Sequence, residues 1–181
     1  MSLVIVTGDY ISAITGGVYK LMSSARAREK GDVLLHTPSI ILADYIIGTL
    51  SDMGRHSSGD DWPLFVSYLP EGDTVPVDCG AIYDTAGILD GRTGQGEVIQ
   101  HYGFMIHIRS SVYDVGWKKA EEIADDLSEC SNNLITVDST EYLICNVTRT
   151  SPVTYLGLDK DTERVFLFSV NFITTLKKIE S

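Results

Sequence analysis

The stretch that most constrains the fold runs from His101 to Leu127, where the apolar period changes from two to about 3.6 within a few residues. Tyr102, Phe104, Ile106 and Ile108 alternate with Met105, His107 and Arg109, which predicts a strand over 101–109 with one buried face. From Asp114 onward, Trp117, Ala120, Ile123, Ala124 and Leu127 form one stripe, and Lys118, Lys119, Glu122 and Asp126 form the opposite face. This predicts an amphipathic helix over 114–128. Lys118 and Glu122 stand four apart on it, a pairing worth a few tenths of a kcal/mol.

The remaining elements are read in the same way. Thr37-Pro38 opens a second helix, with a hydroxyl at the cap and proline in the first turn. Ile41, Ala43, Tyr45, Ile46, Leu50 and Met53 carry it to 53, and Gly54 serves as its stop. Strands are expected at Trp62–Leu69, where Pro63 suits an edge, at Ala81–Tyr83, at Glu141–Arg149 and at Arg164–Leu176. In the last of these Phe166, Phe168, Val170 and Phe172 share a face. Strands and helices do not alternate regularly, so the class is α+β: an antiparallel sheet covered on one face by two amphipathic helices, 38–53 and 114–128. Residues 1–36 form an N-terminal extension with a short strand at Leu3–Val6 and partly helical character, and residues 37–181 form the domain proper. Asp90-Gly-Arg-Thr-Gly-Gln-Gly-Glu, with three glycines in six residues, is expected to be an exposed, mobile loop.

With 181 residues, of which 44% are hydrophobic and 22% charged, the chain can bury a core without a disulfide or metal staple. The net charge of −11 argues against tight nucleic-acid binding, which depends on Lys and Arg. Cys79, Cys130 and Cys145 are odd in number and widely spaced, so they read as reduced thiols rather than a zinc site. The start lacks the basic and apolar regions of a signal peptide, and no apolar run approaches the roughly 18 residues of a membrane span. The expectation is a protein made in the cytoplasm and held there until it joins a partner.

Patterns that could carry chemistry are outweighed by plainer readings. Asp159, Asp161 and Glu163 alternate as in a calcium loop, but the loop glycine and the terminal Glu are absent at the required spacing, so a hairpin turn is expected. Gly91-Arg-Thr-Gly-Gln-Gly lacks the Gly-Lys-Ser/Thr of a phosphate loop. His101 and His107 share a strand face but stand roughly 20 Å apart, too far to hold one ion. A Cys145–His107 nucleophile–base pair would need strand register to align them. Glu121, Glu122, Asp125 and Asp126 read as a solvated helix face, and Trp117 and the phenylalanines as core. No metal, cofactor or catalytic residue is assigned.

Four segments in order carry a resemblance: Gly103-Phe-Met-Ile-His-Ile-Arg-Ser-Ser-Val-Tyr-Asp, Ala120-Glu-Glu-Ile-Ala-Asp-Asp-Leu, Arg149-Thr-Ser-Pro-Val-Thr-Tyr-Leu-Gly-Leu-Asp and Arg164-Val-Phe-Leu-Phe-Ser-Val-Asn-Phe. Over residues 37–178 the chain resembles the tail terminator and minor capsid proteins of long-tailed phages, the siphophages. The most specific part is Pro152, Gly157, Asp159, Arg164 and Asn171-Phe172, a pattern of structural residues. Residues 1–36 have no counterpart in it.

The resemblance implies a structural virion protein, not an enzyme. It would form a homo-oligomeric ring, usually a hexamer, at the head-proximal end of the tail. The ring would stop polymerisation of the tail tube protein and meet a head completion or connector protein. DNA would pass through the channel without specific binding, and the acidic charge suits such a channel. The contact residues expected are Arg92, Thr93, Gly94 and Gln95 in the glycine-rich loop, with Arg109 and Arg149 at strand ends. Each of these two arginines pairs either with a neighbouring subunit or within its own chain. The rival readings are a head completion or stopper protein, and a small α+β enzyme or ligand-binding module.

Overall fold

The computed structural model describes residues 4–7, 10–15, 18–23, 34–55, 62–70, 76–92, 98–158 and 165–179. The chain divides into two compact units, Met1–Val33 and Leu34–Ser181. The first holds an antiparallel meander of β1 (Val4–Thr7), β2 (Tyr10–Thr15) and β3 (Val18–Ser23). Strands thus replace the partial helix expected there. Val18, Tyr19 and Leu21 are β-branched, aromatic or long apolar residues, and they favour an extended chain once a partner strand is present.

The second unit is α+β. Its sheet runs β4 (Met53–Gly54), β5 (Trp62–Val66), β6 (Cys79–Arg92), β7 (Val98–Ser110), β11 (Phe166–Lys178), β9 (Thr140–Arg149), β8 (Ser131–Val137), and β10 (Thr154–Leu158) also pairs with β11. From β6 to β8 all pairings are antiparallel. β4–β5 and β5–β6 are parallel, so the sheet is mixed at one margin rather than wholly antiparallel. β5 carries Pro63 one strand in from that margin, opposite Gly54 of the two-residue β4.

The alternation in β7 gives the burial expected. Phe104, Ile106 and Ile108 are fully buried, and across the ladder Phe104 stacks on Phe172 at 5.0 Å between ring centroids. α2 (Tyr113–Glu129) lays Ala120, Ile123, Ala124 and Leu127 on this face, over β7, β9 and β11. It approaches closely because residue 116 is glycine: a Cβ there would stand 2.6 Å from Phe168 Cε2.

α1 (Pro38–Thr49) covers the rest of the face, and it departs from expectation twice. It is not amphipathic. Ser39, Ile41, Leu42, Ala43 and Ile46 are buried, and Ile40, Tyr45 and Ile47 also pack on the core, because sheet, β8 and α2 surround the helix. It also stops at Thr49 with Leu50 as its cap, since Met53–Gly54 leaves to pair with β5. At its start the Thr37 hydroxyl bonds Ser39 Oγ (2.8 Å). The cap comes instead from Asp84 of β6, which accepts from Ser39 N (2.9 Å) and Ser39 Oγ (2.7 Å).

Candidate assembly surfaces

Beyond Tyr102, β7 has only β6 as a partner among the described residues, so residues 85–92 and 98–101 form a two-stranded arm. The expected strand at Ala81–Tyr83 is in fact 14 residues long, and it carries the chain through Asp90 and Gly91, which the sequence places in a loop. The register slips between Thr85 and Ile88, where the backbones cross closely. A Cβ on Gly103 would run into the Ala86 carbonyl oxygen, and one on Gly87 into that of His101, so both positions need glycine. His101 ties the base of the arm down: Nδ1 meets Thr175 Oγ1 at 2.8 Å and Nε2 meets Asp90 Oδ2 at 2.9 Å. Level with this anchor Ile88 and Leu89 stand exposed, Leu89 by 70%.

A second apolar surface lies at the other end of β7. Tyr113, at the start of α2, contacts Trp117, Tyr155, Phe166 and Phe168, ring to ring. Phe168 is buried, but the cluster reaches the surface through Tyr113 and Tyr155, and Leu158, paired with Phe166, is also exposed. β10 is an edge strand with β11 as its partner, and a bulge between Tyr155 and Gly157 (φ +116°) interrupts it.

The sequence-derived contact residues fare unequally. Arg92 is the last residue of β6, opposite Val98, and Thr93, Gly94 and Gln95 lie outside the described residues. Arg109 is 6% exposed and donates to the carbonyls of Pro70 (2.8 Å) and Pro76 (3.0 Å) in its own chain, which takes it away from any neighbouring subunit. Arg149 makes the intramolecular pair: Nη1 and Nη2 reach the two oxygens of Glu121 (2.8 and 3.3 Å), and Nε donates to Ser151 O (2.9 Å). Two residues of the most specific part of the resemblance, Asn171 and Phe172, lie at this corner. Thr150 N donates to Asn171 O (2.8 Å), Ser151 Oγ bonds Asn171 N and Nδ2 (both 3.2 Å), and Phe172 pairs with Arg149. They turn the chain from β9 into β10. Asp159, Asp161, Glu163 and Arg164 lie outside the described residues.

The acidic helix face is not simply solvated. Besides Glu121, Asp126 accepts from Thr49 Oγ1 (2.8 Å), and Glu122 pairs with Lys119 (2.6 Å). Burial is the chief cause that raises the Asp126 carboxyl pKa. Lys119, which the helical wheel places outside, is 6% exposed. It also meets Asp52 (2.5 Å) and sits 5.6 Å over the Trp62 ring. These residues, with Val115 and Lys118, line an open groove of about 410 Å³.

Cys145 and His107 are not brought together. His107 pairs with Ser169 and Asn146 with Thr175, six residues along β11 or roughly 20 Å. The His107 ring lies 5.1 Å from that of Tyr83, and burial lowers its pKa from the ordinary 6.5. Burial raises the thiols of Cys79 and Cys130. Among the described residues no three His, Cys, Asp or Glu side chains gather as a metal site, and no helix is long and apolar enough to cross a membrane.

The chain matches no protein-family model, and no curated protein matches it. Among solved structures it is similar to a chain of the virion of a native gene transfer agent particle, with a TM-score of 0.43 and 8% identity over 76% of this chain and 85% of that one. A second solved chain aligns with a TM-score of 0.38 and 12% identity over 78% of this chain and 91% of that one. At these TM-scores neither likeness bears on function.

Proposed function

We propose that this chain is a structural virion protein of the tail terminator kind. Copies associate side by side in a closed ring, most simply a hexamer, on the end of a phage tail tube. The ring stops tube growth and offers its other face to a head completion protein, while DNA passes without specific contacts. It catalyses no reaction, and its place is the head-proximal end of the tail, after assembly in the host cytoplasm.

The observation that carries this reading is the aromatic cluster that reaches the surface at Tyr113 and Tyr155, with exposed Leu158 beside it. Apolar surface gathered around aromatic rings in this way favours association. The resemblance in sequence runs over residues 37–178, and its Gly157 lies in β10, next to Leu158 of this surface. Residues 91–96, of which 93–96 lie outside the described residues, are the part assigned to the tube.

Negative-stain imaging of the purified full chain, alone and with purified tail tubes, tests the reading. Rings seated on tube ends are expected. Rings that bind portal complexes and ignore tubes would make it a stopper protein. Persistent monomers whose melting shifts with a small ligand would make it an enzyme or binding module.

A further inference from the structure

We propose that His36 and Tyr142 form a proton-sensitive latch that holds the opening residues of the second unit against β9. The latch is independent of ring closure.

Residues 34–36 lie before α1 and in no strand. Leu34 packs on the core and Leu35 is exposed, and the polar anchorage among the described residues falls to His36. Its backbone N–H (3.2 Å) and its Nδ1 (2.7 Å) meet one atom, the hydroxyl oxygen of Tyr142. The two rings pack edge to face, with 5.7 Å between centroids. Tyr142 is fully buried, so water does not reach that hydroxyl. An amide N–H can only donate. The Tyr142 oxygen therefore accepts it, and the phenol proton is left to point at Nδ1. This fixes the neutral ring with its proton on Nε2, which faces Asp138 Oδ2 at 3.4 Å.

A second proton on the ring would sit on Nδ1 and face the phenol proton. Two donors then meet, and a buried hydroxyl loses its acceptor, a loss that water cannot make good there. Asp138 attracts the second proton, but its side chain is 88% exposed and solvent screens the attraction. Lys178 stands opposite Tyr142 in the ladder with β11, and its positive charge opposes a second one nearby. Glu141, one residue before Tyr142, turns to the other face of the sheet. A charged His36 thus parts from Tyr142 and takes residues 34–36 with it. α1 stays wound, because its first bonds run from Ile40 and Ile41 to the carbonyl of Thr37.

Nuclear magnetic resonance of the isotope-labelled full chain tests the latch. At pH 7.5 the His36 ring is expected as the Nε2–H tautomer, with its backbone amide protected from exchange. At pH 5.5 that protection, corrected for intrinsic rates, should fall roughly tenfold, while protection along β9 falls by less. Tyr142→Phe removes the hydroxyl alone and should leave the His36 amide unprotected at both pH values. An Nδ1–H tautomer at pH 7.5, protection that ignores pH, or protection intact in Tyr142→Phe would overturn the latch. So would an equal loss along β9 at pH 5.5, which means that the whole sheet opens. The tautomer and the pH dependence are read on the parent chain, so they decide the matter even if Tyr142→Phe fails to fold.

Discussion

Asp84 shows how one side chain fixes the position of a helix. It lies on β6, yet its carboxylate accepts the first amide and hydroxyl bonds of α1, 45 residues earlier in the chain. Asp84→Ala should cost about 1–2 kcal/mol, the usual loss for a helix cap, read as a fall of several degrees in the melting temperature. Asp84→Asn should recover most of it. His107 and Asp126 make the stability depend on pH in opposite senses. Burial favours neutral His107, so its contribution is full above pH 6.5 and is lost as pH falls through its lowered value. His107→Gln should therefore flatten the decline in melting temperature below pH 6.5. The Asp126 carboxyl is raised, so its ionisation works against the fold once pH exceeds the ordinary 3.8. Asp126→Asn, which can still accept from Thr49, should raise the melting temperature at pH 7 and change it little at pH 3. None of these roles is legible in the sequence. The partners of Asp84 and Arg109, and Asp52 beside Lys119, are distant in the chain, and two of the Arg109 partners are backbone carbonyls, which any residue type supplies.

At the level of elements, legibility followed amphipathicity. β7, α2 and β11 each bury one full face, and the alternating or helical spacing of their apolar residues is visible. β8 and β10 were missed because their side chains are mostly exposed: Ser131-Asn-Asn carries no apolar alternation, and β10 shows its apolar residues to the surface. Only three residues of β6 show as a strand in the sequence, because residues 84–91 are exposed and carry no burial pattern. The glycines there are structural. Gly103→Val should lower the melting temperature by several degrees and shift the arm, seen as faster amide exchange at 86–88 and 101–103, since its Cβ would meet the Ala86 carbonyl. Trp117 is half-buried against Tyr113 and Phe168, so Trp117→Ala should cost about 3 kcal/mol, the low end for a large aromatic. Deleting residues 91–96 should leave thermal melting unchanged and impair docking on tubes, and loss of the melting transition would show that the segment is needed for the fold.

For the whole molecule, the α+β class and the helix-covered face were legible, and the exposed apolar side chains at the two ends of β7 were not. Three of the six expected contact residues lie outside the described residues, Arg92 ends β6 at the arm, and Arg109 and Arg149 serve their own chain. The apolar surfaces were missed because exposure, not residue type, defines them: Leu156 in a sequence reads like any core leucine. The proposal that this chain closes on copies of itself is tested by native mass spectrometry of the full chain at micromolar concentration. One closed species at six times the 19.9 kDa of the chain, without a ladder of larger forms, is the result expected. A monomer at every concentration, or an open series that never closes, would contradict it.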